Sequence, residues 1–234
     1  MNMSILLTTS PLNVYEHMAL DETLVRERAG EVTLRFYNWA PGSALTFGYA
    51  QFVREVRAQA AAQQFAGKIC RRPTGGGVVY HIDDLTFSLI FSSNDKPTVI
   101  YKNLHGAIQA ALTLGGLCTQ LFDKKLPASA YAPSQHHQAS ACFTNPVEND
   151  LMQANGQKML GGAIRRFGQT VLYQGSLQAP DARQNPAYKQ TIIRAVRSFL
   201  NVNLKIEPVC TQVLFAAQEL ATTQYNTLAW TEKF

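Results

Sequence analysis

Residues 71–81 read Arg71-Arg72-Pro73-Thr74-Gly75-Gly76-Gly77-Val78-Val79-Tyr80-His81, a triple glycine between two segments rich in β-formers. Glycine lets backbone take positive φ or approach a ligand closely, so this tract can form a short cradle with guanidinium charge on one side. Arg71 and Arg72 alternate on a strand, so one of the two faces such a site, and Arg72 is the candidate. His81 is a candidate base or carbonyl partner; a satisfied structural histidine is the other reading. Cys142 stands apart from Cys70, Cys118 and Cys210 because its neighbours are polar. With thiolate character it would be a nucleophile; as a thiol it is an ordinary loop cysteine.

Several chemistries are excluded. Neither the G-x-x-x-x-G-K-S/T nor the G-x-G-x-x-G pattern is present, and the glycine tract joins strand to strand, whereas phosphate loops of those classes open a helix. No C-x-x-C pair occurs, and His136-His137 has no carboxylate at ligand spacing, so no metal is expected. Ser176, in Gln174-Gly175-Ser176, lacks the G-x-S-x-G elbow of a serine hydrolase. The formal net charge of +5 is dispersed, with no Lys/Arg block that would bind nucleic acid. It serves solubility or attraction to an acidic macromolecular partner. No run of eighteen apolar residues suits a membrane span, and the first residues make a poor signal peptide. A cytoplasmic location is the default expectation.

The elements that must position these residues follow from local signals. Asn13 with Glu16 resembles a capping box ahead of a helix over 13–28. Val32 to Trp39 alternates as a strand, and Leu45 to Tyr49 reads as its partner. A helix over 55–65 leads to a strand over 68–72. Val78–His81 and Leu85–Phe91 read as two strands joined by Asp83-Asp84, most simply a hairpin. A helix spans 98–114, a strand is expected over 117–122, and residues 124–140 form a long loop. Asn155-Gly156 signals a hairpin between 150–154 and 158–167, and a third strand over 170–178 completes a meander. Helical patterns cover 188–200 and 209–225. Strands and helices are interspersed without strict βαβ alternation, which predicts an α+β fold: a mixed, largely antiparallel sheet packed with helices. The 234 residues are expected to form a single domain, with 188–234 a short helical extension.

Three pieces together resemble one family. They are Arg71 to His81; Asn155-Gly156-Gln157-Lys158-Met159-Leu160-Gly161-Gly162-Ala163-Ile164-Arg165-Arg166; and Gln174-Gly175-Ser176-Leu177. They look like the lipoate–protein ligase and octanoyltransferase superfamily, which shares a catalytic fold with biotin–protein ligases. Leu34-Arg35-Phe36-Tyr37-Asn38-Trp39 and Gly48-Tyr49-Ala50-Gln51 are similar to its early strands. The resemblance implies a sheet that holds a medium-chain acyl group, with Arg72, Thr74, Gly75, Gly76, Gly77, His81, Gly161 and Ala163 binding substrate. It places Lys158 against the acyl carbonyl, where a fixed cation stabilises oxyanion charge or an acyl-adenylate phosphate; a surface lysine after a turn is the bland alternative. Arg165 and Arg166 could serve carrier docking or simply form a solvated strand face.

Within the superfamily, Ala141-Cys142-Phe143-Thr144-Asn145-Pro146 matches the Cys-Phe-x-x-Pro context of cysteine-dependent transferases, and Leu85-Thr86-Phe87-Ser88 is close to their Leu-Thr-Tyr-Ser. Val147-Glu148-Asn149-Asp150 keeps the Asn-Asp of a ligase tract without its Gly-Arg. Gly77 stands where those transferases often carry arginine. The resemblance therefore implies an octanoyltransferase with Cys142 and Lys158 as catalytic residues and no cofactor. Its donor would be acyl carrier protein. The acceptor would be a lipoyl domain of a 2-oxoacid dehydrogenase or the glycine-cleavage H protein. The rivals are a lipoate ligase using ATP and Mg2+, a biotin–protein ligase, and a non-catalytic carrier-binding relative.

Overall fold

The computed structural model describes residues 4–124 and 146–234. Strand β1 (Ser4–Thr8) leads into α1 (Val14–Glu27), which starts where the sequence signals it. The Asn13 side chain accepts from the backbone N–H groups of Tyr15 and Glu16, and the Glu16 carboxylate accepts from the N–H of Asn13 at 2.7 Å. That reciprocal pair satisfies orphan donors at the helix start. There follow β2 (Val32–Phe36), β3 (Ala44–Phe47), α2 (Val53–Ala62), β4 (Lys68–Arg71), β5 (Val79–His81), β6 (Leu85–Ser92), α3 (Pro97–Leu114) and β7 (Thr119–Leu121). After the undescribed stretch come β8 (Leu151–Gln153), β9 (Lys158–Phe167), β10 (Thr170–Leu177), α4 (Pro186–Leu200), β11 (Lys205–Pro208) and α5 (Thr211–Leu220). A π-helical turn (Ala221–Tyr225) and α6 (Leu228–Thr231) complete the chain.

Among the described residues, eight strands form one sheet in the order β11-β1-β2-β6-β10-β9-β8-β7, and β4-β3-β5 form a second, smaller one. The large sheet is parallel at β11-β1-β2 and antiparallel from β2 onward. This is the mixed, largely antiparallel α+β arrangement that the sequence predicts. The meander turns at Gly156 and Gly168, both with positive φ. None of the described helices is long and apolar enough to cross a membrane.

Two pairings differ from expectation. β3 does not partner β2; it lies parallel to β4 and antiparallel to β5 in the small sheet. β5 and β6 do not form a hairpin either. His81 pairs with Ala44 in the small sheet, while Leu85 pairs with Leu177 in the large one. A two-residue hairpin turn requires positive φ, which neither Asp83 nor Asp84 adopts. The chain instead crosses between sheets at Ile82–Asp84. β1 and β11, which local patterning does not reveal, add the parallel edge.

Register explains how the sheet positions a site. Thr86, Ser88 and Ile90 of β6 lie level with Ser176, Gln174 and Leu172 of β10, and these with Gly161, Ala163 and Arg165 of β9. With side chains alternating between faces, this is the face covered by α1 and the small sheet. The opposite face carries Phe87, Leu89, Phe91, Val171 and Tyr173, packed against Ile100, Leu104 and Ile108 of α3 and Ile192 and Val196 of α4. One face is therefore an apolar core, and the other is polar where the small sheet overlies it.

His105 of α3 is buried on the apolar side. Its Nδ1–H donates to the Asn149 carbonyl at 2.7 Å, and its Nε2 accepts from the Tyr173 hydroxyl at 2.8 Å. Burial, reinforced by the charge of Lys158, pushes this imidazole down to about 3 against the opposing effect of the Asn149 carbonyl. An unfolded histidine titrates near ~6.5. Between those values the unfolded chain binds a proton that the folded one does not, so the stability is complete above the window and is lost as pH falls through it. The expected slope is about 1.4 kcal/mol per pH unit for this group. Burial also lowers His17, and the neighbouring His81 charge, with hydrogen bonds, holds Asp84 down against burial, with the same sign. Urea midpoints of His105→Gln should therefore fall less steeply with acidification than those of the wild type, without becoming flat.

Candidate active site

The two sheets enclose a narrow niche. Its floor is Gly161-Gly162-Ala163 of β9 and Gln174-Gly175-Ser176 of β10, and its other walls are Thr46, Arg72, Val79, His81 and Thr86. A larger cavity of about 430 Å³ adjoins the same strand at Gly162 and Ala163, lined further by Pro97, Thr98, Tyr101, Asn149 and Ile164. Gly162 and Gly175 have no space for a side chain on the apolar face, because the Tyr173 ring, and at Gly175 also Phe87, fills it.

Lys158 begins β9 and is buried. Its ammonium sits 2.7 Å from the Asp150 carboxylate, itself fully buried. The lysine chain folds along the strand, so that a Cβ on Gly161 would lie 2.5 Å from Nζ. The cation is thereby held against the floor of the niche. Asp150 also accepts from the Tyr101 hydroxyl at 2.5 Å and from the Val147 N–H at 2.6 Å. The preceding Asn149 takes φ of +71°, a conformation that asparagine tolerates better than most residues. The Asn-Asp pair in the tract before the lysine strand thus has a physical account: Asn149 makes the bend and Asp150 holds the cation.

Arg72 and Arg71 point apart, as strand alternation requires. Arg72 lines the niche and donates to the Gly75 carbonyl through Nε at 3.1 Å and to Thr46 Oγ1 at 3.4 Å. Arg71 is buried on the other side, where its guanidinium donates to the carbonyls of Tyr49, Gln51, Trp230 and Thr231. Trp230 returns a hydrogen bond from Nε1 to the Arg71 carbonyl at 2.9 Å. The last helix is thus fastened to the strand that delivers Arg72. Arg165 donates to the Pro73 carbonyl at 2.9 Å, and Arg166 to that of Ser93 at 2.7 Å. Both are half-buried and bonded to loop backbone, so they are not a simply solvated strand face.

The triple glycine stands at the rim. Gly75 and Gly76 are exposed, and Gly77 is half-buried. Gly76 has φ of +87° and faces Arg72 and Ala163. Thr74 is fully buried behind the loop, donating to Gln174 Oε1 at 2.6 Å. Gln174 donates in turn to Asp21 of α1 at 2.7 Å. Asp21 also takes Arg35 at 2.7 Å, Ser88 at 2.6 Å and the Tyr37 hydroxyl. His81 reaches Asp84 Oδ2 at 3.0 Å through Nδ1 and Thr46 Oγ1 at 2.9 Å through Nε2. The structure therefore brings Arg72, His81, Gly161 and Ala163 into one niche with Lys158 alongside. Thr74 lies one layer behind, and Gly75 to Gly77 edge it. Cys142 lies outside the described residues. Among those residues no group of three metal-ligating side chains occurs. Sequence reasoning missed Asp84, Asp150 and Thr46. For the first two the signals were present, in Asp83-Asp84 read as a turn and in the Asn-Asp tract.

Residues 13–204 match the lipoyl protein ligase A/B catalytic domain. The chain belongs to that family. It is 31% identical over 181 residues to octanoyltransferase LipM of Moorella thermoacetica, an alignment that covers 74% of this chain and 63% of the relative. The counterpart of the same name in Bacillus subtilis is 29% identical, with 69% and 60% covered. The chain thus spans less than two thirds of the length of both. The Anoxybacillus flavithermus octanoyltransferase LipM is 27% identical across 93% of each chain. In fold the chain resembles a T. acidophilum protein with bound lipoic acid, with a TM-score of 0.77 and 22% identity over the whole of both chains. It also resembles lipoate-protein ligase A bound with ATP, with a TM-score of 0.74 and 22% identity over 99% of each.

The glycines at the rim are not equivalent. A Cβ on Gly48 would lie 1.9 Å from the Gly76 carbonyl oxygen, whereas one on Gly75 meets nothing within 4 Å. Gly48→Ala should therefore lower stability by about 1–3 kcal/mol, as overpacking against rigid backbone does. Gly75→Ala should stay within about 0.5 kcal/mol of the wild type. Urea denaturation of the two variants checks the contrast.

Proposed function

We propose that the chain is an octanoyl-[acyl carrier protein]:protein N-octanoyltransferase acting in protein lipoylation. The observation that carries this reading is the 31% identity to a relative named octanoyltransferase. The site supports it. In this reading Cys142 attacks the octanoyl thioester of acyl carrier protein, and one thioester replaces another of similar energy. The lysine of a lipoyl domain, or of the glycine-cleavage H protein, then attacks the acyl-enzyme, and the reaction runs downhill to an amide. A solved neighbour described as a bipartite lipoate protein ligase with its E2 lipoyl domain makes a lipoyl domain the first acceptor to try. The acyl chain runs along Gly162 and Ala163, the segment common to both cavities. Lys158, paired with Asp150 at 2.7 Å, faces the carbonyl and stabilises the oxyanion in each half-reaction. Neither step needs a nucleotide or a metal.

Incubation with octanoyl-acyl carrier protein alone, followed by mass spectrometry, tests the reading. The expected result is an octanoyl increment on the Cys142 peptide, absent from Cys142→Ser and retained in Cys70→Ser. Cys70 is fully buried, and burial pushes its thiol up, away from thiolate. Lys158→Ala should slow transfer about 10²–10³-fold, the usual cost of losing an oxyanion partner. Pyrophosphate release that depends on lipoate and ATP, with no acylation from the carrier, would replace the transferase with the ligase.

A further inference from the structure

Amide formation has a requirement that neither Cys142 nor Lys158 meets in this scheme. The acceptor lysine arrives as an ammonium and has no lone pair until a base takes a proton. Lys158 is itself a cation, pinned by a carboxylate. The opposite wall of the niche holds a chain of four side chains, Arg72, Thr46, His81 and Asp84, whose hydrogen bonds run from guanidinium to carboxylate when the imidazole is neutral.

The direction follows from chemistry at the two ends. A guanidinium only donates and a carboxylate only accepts. Asp84 Oδ2 receives the hydroxyls of Thr86 at 2.7 Å and Ser176 at 2.6 Å, so those protons are committed. His81 Nδ1, 3.0 Å away, must be the protonated nitrogen that donates to Asp84. Its Nε2 then carries the lone pair. Thr46 Oγ1 accepts from Arg72 at 3.4 Å, which leaves its own proton for His81 Nε2 at 2.9 Å. Thr46, Arg72 and His81 all line the niche. In the neutral imidazole this fixes the tautomer, and the basic nitrogen reaches the cavity through one hydroxyl.

We propose that His81, oriented by Asp84 and relayed by Thr46, is the general base that deprotonates the acceptor lysine. The assignment rests on the transferase reading above. The ammonium gives a proton to Thr46 Oγ1 as Thr46 passes its own to His81 Nε2, and the imidazolium is held by Asp84. The free amine attacks the thioester carbonyl; the C–N bond forms and the C–S bond breaks. The second proton leaves the nitrogen with amide formation and goes to the departing sulfur, and His81 returns its proton to solvent. Asp84 is suited to holding the imidazolium, because the charge of a protonated His81, with hydrogen bonds from His81, Ser176 and Thr86, outweighs burial and holds its carboxyl below the usual range. Other charged or titratable groups face the ring from each side. Arg72 acts through Thr46, Arg183 contacts Asp84 at 3.3 Å, and His17 lies across the Trp39 indole.

The experiment uses octanoyl-acyl carrier protein as donor and compares two acceptors: a lipoyl domain, whose lysine is charged, and hydroxylamine, an amine uncharged at neutral pH. His81→Gln should lower transfer to the lipoyl domain about 10²–10⁴-fold while octanoyl hydroxamate formation falls far less. Asp84→Asn, which no longer fixes the tautomer, should show the same split and a displaced acid limb in the pH profile for lysine transfer. If Asp84→Asn does not fold, Thr46→Val supplies the test, and Thr46→Ser should restore transfer. Equal losses with both acceptors would mean that the chain only shapes the niche and would overturn the proposal. Undiminished lysine transfer in His81→Gln, or an octanoyl ester on Thr46, would overturn it as well. A wild-type enzyme that neither becomes acylated nor transfers would reject the transferase reading itself, an outcome distinct from any of these.

Discussion

A carboxylate withdrawn from water costs several kcal/mol unless its oxygens are fully bonded, and this protein withdraws Asp21, Asp84 and Asp150 completely. Each is satisfied by partners from elements far apart in sequence. Asp21 ties α1 to β2, β6 and β10 through Arg35, Ser88 and Gln174. Asp84 ties β5, β6 and β10 through His81, Thr86 and Ser176. Asp150 ties α3 to β9 through Tyr101 and Lys158. A buried charge of this kind cannot lose a partner cheaply; removal of one typically costs about 3–5 kcal/mol. The polar networks therefore hold the geometry of the niche as firmly as the apolar core behind the sheet holds the sheet.

The two sheet faces divide the work. Toward α3 and α4 the strands present large apolar groups, which fix the curvature and spacing of β6, β9 and β10. Toward the small sheet the same strands present hydroxyls, an amide and glycines, level with one another across three strands. The small sheet then brings Thr46, Arg72 and His81 down onto that surface. Strong packing on one side permits a preorganised polar arrangement on the other, where donors and acceptors have no freedom to reorganise.

Local chemistry was readable from sequence, and non-local pairing was not. The Asn13–Glu16 capping box, the Asn155-Gly156 turn and the meander after it are set by residues within a few positions of each other, and all are found. Order along the chain pairs β3 with β2, yet its four residues are all buried, and a strand buried on both faces shows no alternation that names a partner. Lys158, Arg72 and His81 stood out by residue type. Asp84 and Asp150 did not, because a carboxylate beside a turn ordinarily points to water. Only tertiary packing turns these two inward, and with them the orientation of the imidazole and the ammonium.

The floor of the niche is mostly main chain. At Gly161, Gly162 and Gly175 the space a side chain would need is already taken by the Lys158 chain, the Tyr173 ring and Phe87. A wall made of peptide groups cannot be recontoured by point substitution. In a lineage of such proteins its width is inherited with the path of the backbone. In the transferase reading, discrimination among acyl chains then evolves at the positions of the niche that still carry a modest side chain, Val79, Thr86 and Ala163. Substrate range can drift there while the reacting geometry stays where it is.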